Sequence, residues 1–171
     1  MYGVPFASPN LCGFYRGSDF TQDEEYLCVR SFQLAVVSPF AVYNTNGTDM
    51  NRLSVFSQRA IANNLEARMA LLMYQRTELY KISKYGGALV RPLFTEYPYV
   101  KAFTPDMVDT VMYGDSLKVD FVFDPEALQK VVYLPPYSIW LDIFTGDRIA
   151  PTVEGGNNVT LEVYPTHPRI L

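Results

Sequence analysis

Few side chains in this chain have the chemistry of a catalytic group, and they do not form the patterns of a self-contained active site. A serine nucleophile needs a histidine base within hydrogen-bond reach, and the single histidine, His167, has no G-x-S-x-G turn to accompany it. The doublets Gly86-Gly87 and Gly155-Gly156 are typical of turns and do not form a phosphate-binding loop. We therefore predict no catalytic residue of these types and interpret His167 as an ordinary tail or edge-strand histidine.

Carboxylate pairs are harder to exclude, because any two of the 18 Asp and Glu residues could meet in space. The run Asp23-Glu24-Glu25 is typical of a helix N-terminus, where the helix dipole favours negative charge. Asp115 and Asp120 lie on or beside predicted strands, so turn and edge positions are expected for both. The residues themselves single out no catalytic pair.

Two cysteines and one histidine make a closed zinc site of four protein ligands improbable, so no metal is predicted. Cys12 and Cys28 are 16 residues apart and are either two free thiols or a disulfide, whose stabilisation by chain entropy would be about 3 kcal/mol. Two N-x-S/T sequons, at Asn46 and Asn158, are candidate glycosylation sites that we expect in turns or loops.

The composition is that of one globular domain or two small pieces. The 171 residues include 14 Lys and Arg against 18 Asp and Glu, a net charge of −4, with 49% hydrophobic residues. This excludes global disorder, and the chain lacks the basic surface of a nucleic-acid-binding protein. No apolar run approaches the roughly 18 to 20 residues of a membrane span, and the first residues do not have the pattern of a signal peptide.

Hydrophobic periodicity predicts an α/β part followed by an all-β part. Helices are expected over 57–83, capped by Ser54 or Ser57, and over 22–34, capped by Thr21. Short apolar runs at 4–6 and 35–40 favour buried strands, which gives two successive βα units. Strands are then expected at 88–93, 111–113, 117–123, 131–134, 139–144 and 159–164. We place the domain boundary between residues 1–86 and 87–171.

Seven strings, in order along the chain, are similar to the motifs of one enzyme family. The first, Asn10-Leu11-Cys12-Gly13-Phe14, is similar to G-A-D-I/V-C-G-F. The others are Glu25-Tyr26-Leu27-Cys28-Val29-Arg30 with Gln33-Leu34 and Ser38-Pro39-Phe40, Arg68-Met69-Ala70-Leu71-Leu72-Met73-Tyr74, Val90-Arg91-Pro92-Leu93-Phe94, Tyr113-Gly114-Asp115-Ser116-Leu117, Tyr133-Leu134-Pro135, and Trp140-Leu141-Asp142-Ile143-Phe144-Thr145-Gly146. In this order the strings resemble glycoside hydrolase family 31, the family of lysosomal and intestinal α-glucosidases.

The resemblance implies the last two βα units of a (β/α)8 barrel, followed by part of a β-sandwich domain. A full barrel takes about 250 residues, so we expect this chain to be an internal fragment. The family's retaining mechanism uses a nucleophile in W-x-D-M-N-E and an acid/base in W-x-G-D-N. Neither motif is present, so this chain alone should not hydrolyse a glycoside, and no cofactor is implied.

The resemblance also implies sugar-facing positions. Phe14 matches an aromatic residue that walls the glucose subsite, and Asn10 stands where the family has Asp. The family motif P-F-x-R-N-H, whose His bonds the glucose, is changed here, with Val42 for Arg and Asn44 for His. The positions of the two cysteines match a pair that is disulfide-bonded in lysosomal-type members.

Two functional hypotheses follow. In the first, the chain is part of a retaining α-glucosidase-like enzyme acting on α-glucosides or oligosaccharides, with both catalytic carboxylates outside it. In the second, it is a non-catalytic truncated paralogue that binds sugar weakly or pairs with another protein. The expected partners are the missing barrel portion or a second copy of the chain. The family favours a lysosomal, secreted or endoplasmic reticulum route for the parent protein.

Overall fold

A computed structural model describes residues 7, 9–12, 21–43, 49–100, 109–149 and 156–171. Its first part consists of β1 (Asn10–Leu11), α1 (Gln22–Val36), β2 (Val42–Tyr43), a 3-10 turn (Met50–Arg52) and α2 (Val55–Tyr85). The strands β1 and β2 pair in parallel. Parallel neighbours need a crossover connection, which α1 provides, so the predicted order of βα units is confirmed. The predicted strand at 4–6 lies outside the described residues.

Helix α1 begins where its sequence predicts. The Thr21 hydroxyl accepts from the backbone N–H of Glu24, and the Glu24 carboxylate accepts from the backbone N–H of Thr21, which forms a capping box. The predicted strand over 35–40 is wrong, because Ala35 and Val36 continue α1 and the strand lies at β2 instead. A short apolar run fits a buried helix end as well as a strand, so the pattern alone could not decide.

Helix α2 is the long helix that the periodicity predicts, at 31 residues. Its N-cap is Ser54, whose hydroxyl accepts from the backbone N–H of Ser57 at 3.2 Å. It ends at Tyr85, and the next residue, the C-cap Gly86, has a φ of 80°, a left-handed conformation that glycine adopts without steric cost. Helix α2 packs along α1, and no helix in the described part of the chain is both long and apolar enough to cross a membrane.

The second part is formed mainly of strands, as predicted, and they pair antiparallel. The strands that form in the runs at 88–93, 117–123 and 139–144 are shorter than those runs. One sheet has the order β10-β5-β4-β3, and the pairs β6-β9 and β7-β8 lie beside it. One helical turn, α3 (Leu93–Glu96), replaces the end of the predicted strand over 88–93. The strands are β3 (Val90–Pro92), β4 (Thr110–Tyr113), β5 (Leu117–Asp120), β6 (Gln129–Leu134), β7 (Trp140–Leu141), β8 (Arg148–Ile149), β9 (Asn157–Glu162) and β10 (Arg169–Ile170).

The two parts share an apolar interior. Val36 and Val37, at the end of α1, pack in one cluster with Tyr113, Val119 and Ile170 of the four-stranded sheet. Burial of such side chains contributes about 1.5 to 3 kcal/mol each, so this shared cluster holds the helices firmly against the sheet.

Candidate functional site

The parallel strands β1 and β2 form the structural base of the candidate site. Asn10 lies directly opposite Val42, and Leu11 lies opposite Tyr43. Because side chains alternate along a strand, Asn10 and Val42 share one face, and Leu11 lies on the face packed against the helices. Asn10 and Val42 are both exposed. The structure therefore brings together two of the positions at which the chain departs from the family motifs.

The segments that follow β1 and β2 begin at the same edge of this parallel pair, the edge at which barrel enzymes place their functional side chains. In the sequence, Asn44 follows β2 directly and Phe14 comes three residues after β1. Phe14 and Asn44 lie outside the described residues, as does the sequon at Asn46. Their expected roles stay predictions.

A disulfide joins Cys12, at the end of β1, to Cys28 in α1, with both side chains buried. Cys12 has a φ of 50°, a left-handed conformation that is unusual for a residue other than glycine. The Ser31 hydroxyl donates to the Cys28 carbonyl at 2.6 Å. The start of the segment after β1 is thus held covalently to the helix that follows it.

An apolar cavity of about 520 Å³ opens on the helix-facing side of β2. Its wall includes Leu11, Tyr43 and Ile61, and Leu65 at its rim is exposed on α2. Met69 and Met73 continue this exposed stripe along α2, one helical turn apart and 66% and 68% exposed. Helix α2 therefore carries a second apolar face in addition to the one packed on α1.

Three buried polar side chains of the helices hold the turn between β9 and β10. Gln33 Nε2 donates to the carbonyl oxygens of Tyr164 at 2.6 Å, His167 at 3.0 Å and Pro165 at 3.1 Å. Arg30 also donates to Tyr164 O at 3.3 Å, and Asn64 Nδ2 donates to Pro165 O at 3.0 Å. Buried carbonyl groups must be hydrogen-bonded, so these side chains fix the turn on the helices. Arg30 and Gln33 belong to a family-like string, but nothing in the sequence pattern indicates this contact.

Other family-like strings also have structural contacts. In Trp140–Gly146, the Asp142 carboxylate accepts from the backbone N–H groups of Phe144 at 2.8 Å and Thr145 at 3.1 Å, which forms the turn after β7. Arg91 donates to the carbonyl oxygens of Ala88 at 2.9 Å and Gly114 at 3.0 Å. These contacts stabilise turns and strand ends rather than forming a site.

The three buried carboxylates of the described residues each have a cationic partner. Glu78 pairs with Lys81 at 2.7 Å, and Asp142 pairs with Arg169. The expectation of a turn or edge position is wrong for Asp120, which lies in β5 between β4 and β10 and is 1% exposed, with Lys118 Nζ 2.6 Å from its Oδ1. Burial lowers the pKa of Lys118, and the Asp120 carboxylate opposes this. Removing one partner of such a pair leaves a buried charge, at a cost of about 3 to 5 kcal/mol.

His167 lies on a turn near the end of the chain, where it bridges to Tyr164. Its ring packs against those of Phe144 and Tyr164, with centroids 4.7 Å and 5.4 Å away. This partial burial lowers the pKa of His167; the Asp142 carboxylate raises it and the Arg169 guanidinium lowers it further. No group of three potential metal ligands occurs among the residues that the structure describes.

The second sequon is not in a loop as expected, because Asn158 lies within β9. It is exposed there, opposite Tyr133 of β6. The expectation of a loop was wrong because the β9 strand begins two residues earlier than the apolar run that marks it, and that run starts at Val159.

Comparison with known proteins assigns this architecture to a family. Residues 1–78 match the model of the glycosyl hydrolases family 31 TIM-barrel domain, and residues 86–170 match that of the family 31 C-terminal domain. Intestinal sucrase-isomaltase from Suncus murinus is 29% identical over 154 residues, covering 87% of this chain and 8% of its own length. Lysosomal alpha-glucosidase from Bos taurus is 29% identical over 150 residues, covering 85% of this chain and 15% of its own length.

The fold agrees with these matches. A crystal structure of the glucosidase II alpha subunit superposes with a TM-score of 0.76 at 20% identity, covering 85% of this chain and 16% of that one. The chain thus spans a small part of the length of the curated relatives it matches, and two parallel strands with two helices are part of a barrel. On its sequence, its two matched domains and its fold, this chain belongs to glycosyl hydrolase family 31.

Proposed function

We propose that this chain supplies the C-terminal part of a catalytic barrel, and the β domain that follows it, to a retaining enzyme that hydrolyses α-glucosidic bonds. The observation that carries the proposal is the parallel pair β1-β2, which presents Asn10 and Val42 on one exposed face within the match to the family's barrel. The similarity to a lysosomal alpha-glucosidase supports the substrate class. The catalytic carboxylates would come from outside residues 1–171.

The proposed sugar-facing residues are Asn10, Phe14 and Asn44. In this arrangement Phe14 stacks on the sugar ring, and the amides of Asn10 and Asn44 bond its hydroxyls, because an amide group can both donate and accept. The change from the family's Asp, Arg and His to Asn10, Val42 and Asn44 removes charge from this face, so we expect weaker binding of glucose than in the relatives.

We also propose that the chain divides into domains at residues 1–86 and 87–171. The two family matches end at residue 78 and begin at residue 86, which supports this division. Gly86 and Gly87 both have positive φ, and a Cβ atom added to either would meet no other atom within 4 Å, as expected at a turn between elements.

The partner that best fits the exposed face of α2 is the preceding portion of the barrel. Parallel sheets are covered on both faces in globular proteins, and β2 pairs only with β1 among the described residues. A neighbouring βα unit would fill the cavity beside Tyr43 and cover Leu65, Met69 and Met73. The Cys12–Cys28 disulfide supports a secretory or lysosomal route, since such bonds persist in oxidising compartments.

The first test is an assay of the purified chain on an aryl α-glucoside. We expect no turnover, and turnover that Phe14→Ala abolishes would refute the proposal. The second test replaces the matching segment of lysosomal alpha-glucosidase by residues 1–171. We expect a folded hybrid with reduced kcat/KM, which Asn10→Asp and Asn44→His partly restore.

The matched control for the hybrid carries an inactivated nucleophile, which gives the background rate. A folded hybrid that stays at this background, with and without the two reversions, would overturn the role of this segment in hydrolysis. It would favour the alternative of a non-catalytic interaction module, for which the exposed apolar face of α2 is the supporting observation.

A further inference from the structure

The β6-β9 pair has an outer face that combines a sequon with apolar side chains. Asn158 lies opposite Tyr133, and Thr160 lies opposite Val131. Directly opposed residues of antiparallel strands have their side chains on the same face, so these four form one patch. The intervening Val132 of β6 is buried in the core. The patch therefore lies on the outer face of the pair, where Asn158, Thr160 and Val131 are exposed and Tyr133 is partly buried against the core cluster.

Tyr133 lies beside Asn158 in a fixed position. A Cβ atom at Gly156 would be 2.3 Å from the Tyr133 hydroxyl oxygen, so the end of the ring lies over the glycine, two residues before Asn158. Gly156 has a φ of 72° and leaves room for the ring. Val131, on the same face, is 61% exposed. A ring and an aliphatic side chain thus form an apolar surface beside an exposed asparagine.

We propose that Asn158 carries an N-linked glycan whose first sugar packs on Tyr133 and Val131. The co-substrate is a lipid-linked oligosaccharide pyrophosphate. The Asn158 amide nitrogen forms a bond to the anomeric carbon of the first sugar and loses a proton, and the bond from that carbon to the pyrophosphate oxygen breaks, with its electron pair leaving on the lipid pyrophosphate. Thr160 supplies the hydroxyl that the sequon requires.

The geometry gives this glycan a structural role. The C–H groups on one face of a pyranose ring are apolar and pack against the negative face of an aromatic ring. In the described part of the chain no strand other than β6 pairs with β9, so a glycan here also shields a strand edge from association with other chains.

The modification is tested on the full chain, secreted from a eukaryotic host behind a cleavable leader. Only leader-cleaved molecules, from cells and medium, are analysed by peptide mapping, so every molecule measured has entered the compartment of transfer. We expect a glycan at Asn158 in the original chain and in Thr160→Ser, and none in Thr160→Ala. An unmodified Asn158 in the leader-cleaved chain would overturn the proposal.

The packing of the first sugar is tested by trimming the glycan to that sugar with an endoglycosidase. We expect the trimmed chain to keep a Tm about 2 °C above that of Asn158→Gln. In each Tyr133 variant, the Tm of the trimmed chain is compared with that of the same variant carrying Asn158→Gln. The difference in Tm should persist in Tyr133→Phe, which keeps the ring, and vanish in Tyr133→Leu, which keeps only aliphatic bulk. An equal gain in both variants would show that the ring does not hold the sugar.

Discussion

The substitution Gln33→Leu tests the polar contact between the helices and the β domain. Gln33 is 4% exposed, and its amide faces three carbonyl oxygens of the turn between β9 and β10. Leucine has a similar size but cannot donate. The helix and its apolar contacts should remain, so the effect reports the lost hydrogen bonds.

The magnitude follows from the acceptors left behind. Tyr164 O keeps its bond from Arg30, and Pro165 O keeps its bond from Asn64, so His167 O is the acceptor that loses most. The amide has two N–H groups, which the three carbonyl oxygens share, and its Oε1 accepts from Arg30 Nη1 at 3.3 Å. Three lost hydrogen bonds at about 1 kcal/mol each give about 3 kcal/mol. For a chain of this length that corresponds to a fall in Tm of about 9 °C.

The assay is urea denaturation followed by circular dichroism, with Gln22→Leu as the matched control. Gln22 is in the same helix and is exposed, and its side-chain amide donates to the Tyr26 hydroxyl at 3.0 Å on the helix surface. The control should change the free energy of unfolding by less than about 0.5 kcal/mol. A loss in Gln33→Leu no larger than that of the control would refute the reasoning.

Three further predictions address the disulfide, the histidine and the strands β1 and β2. Reduction of the Cys12–Cys28 disulfide should lower the free energy of unfolding by about 3 kcal/mol in urea melts, and an unchanged midpoint would contradict this. Burial lowers the pKa of His167 below its ordinary value of 6.5, so the imidazole binds a proton more readily in the unfolded chain than in the folded one. The stability that neutral His167 contributes above pH 6.5 is therefore lost as the pH falls towards the folded-state pKa. Thermal melts from about pH 7.5 to about pH 5 should therefore show a smaller loss in His167→Phe than in the original chain, and parallel losses would exclude His167 as the cause. Asn10→Asp and Val42→Arg together should raise the free energy of unfolding by about 1 kcal/mol more than the sum of the two single changes, measured in a double-mutant cycle; additive effects would show that the two positions do not interact.

The helices and the order of the parts could be predicted because they depend on local signals. Each helix end is determined by residues close to it in the sequence. Helix α1 begins at the capping box of Thr21 and Glu24, and α2 begins after its N-cap Ser54 and ends before Gly86. Strand ends were less predictable, since a strand forms only where a partner lies beside it. In the run over 35–40, Ala35 and Val36 complete α1 and the remaining residues form the turn that follows it, whereas β2 is only two residues long.

The polar residues of the interior could not be predicted, because their partners are distant in the sequence. Gln33 meets residues more than 130 positions away, and Asn64 meets Pro165, 101 positions away. Lys118 and Asp120 are close in the sequence, but no periodic pattern marks two charged side chains as buried together. A family motif points to such residues without saying whether they hold the fold or contact a ligand.

In this chain, the motif residues that hold the fold lie at different places from the positions that depart from the family motifs. At positions that match the family strings, Gln33, Arg91 and Asp142 each make contacts that hold turns or join the two parts. The departures at Asn10 and Val42 instead face each other across the parallel pair and lie on an exposed face. If the family's Asp and Arg form a pair there, replacing either one alone ends an exposed ion pair that contributes about 0.2 to 1 kcal/mol, and replacing both leaves no unpaired charge on the face. The two departures then count as one change, which removes two opposite charges from the proposed sugar-facing surface while the contacts that hold the fold stay intact.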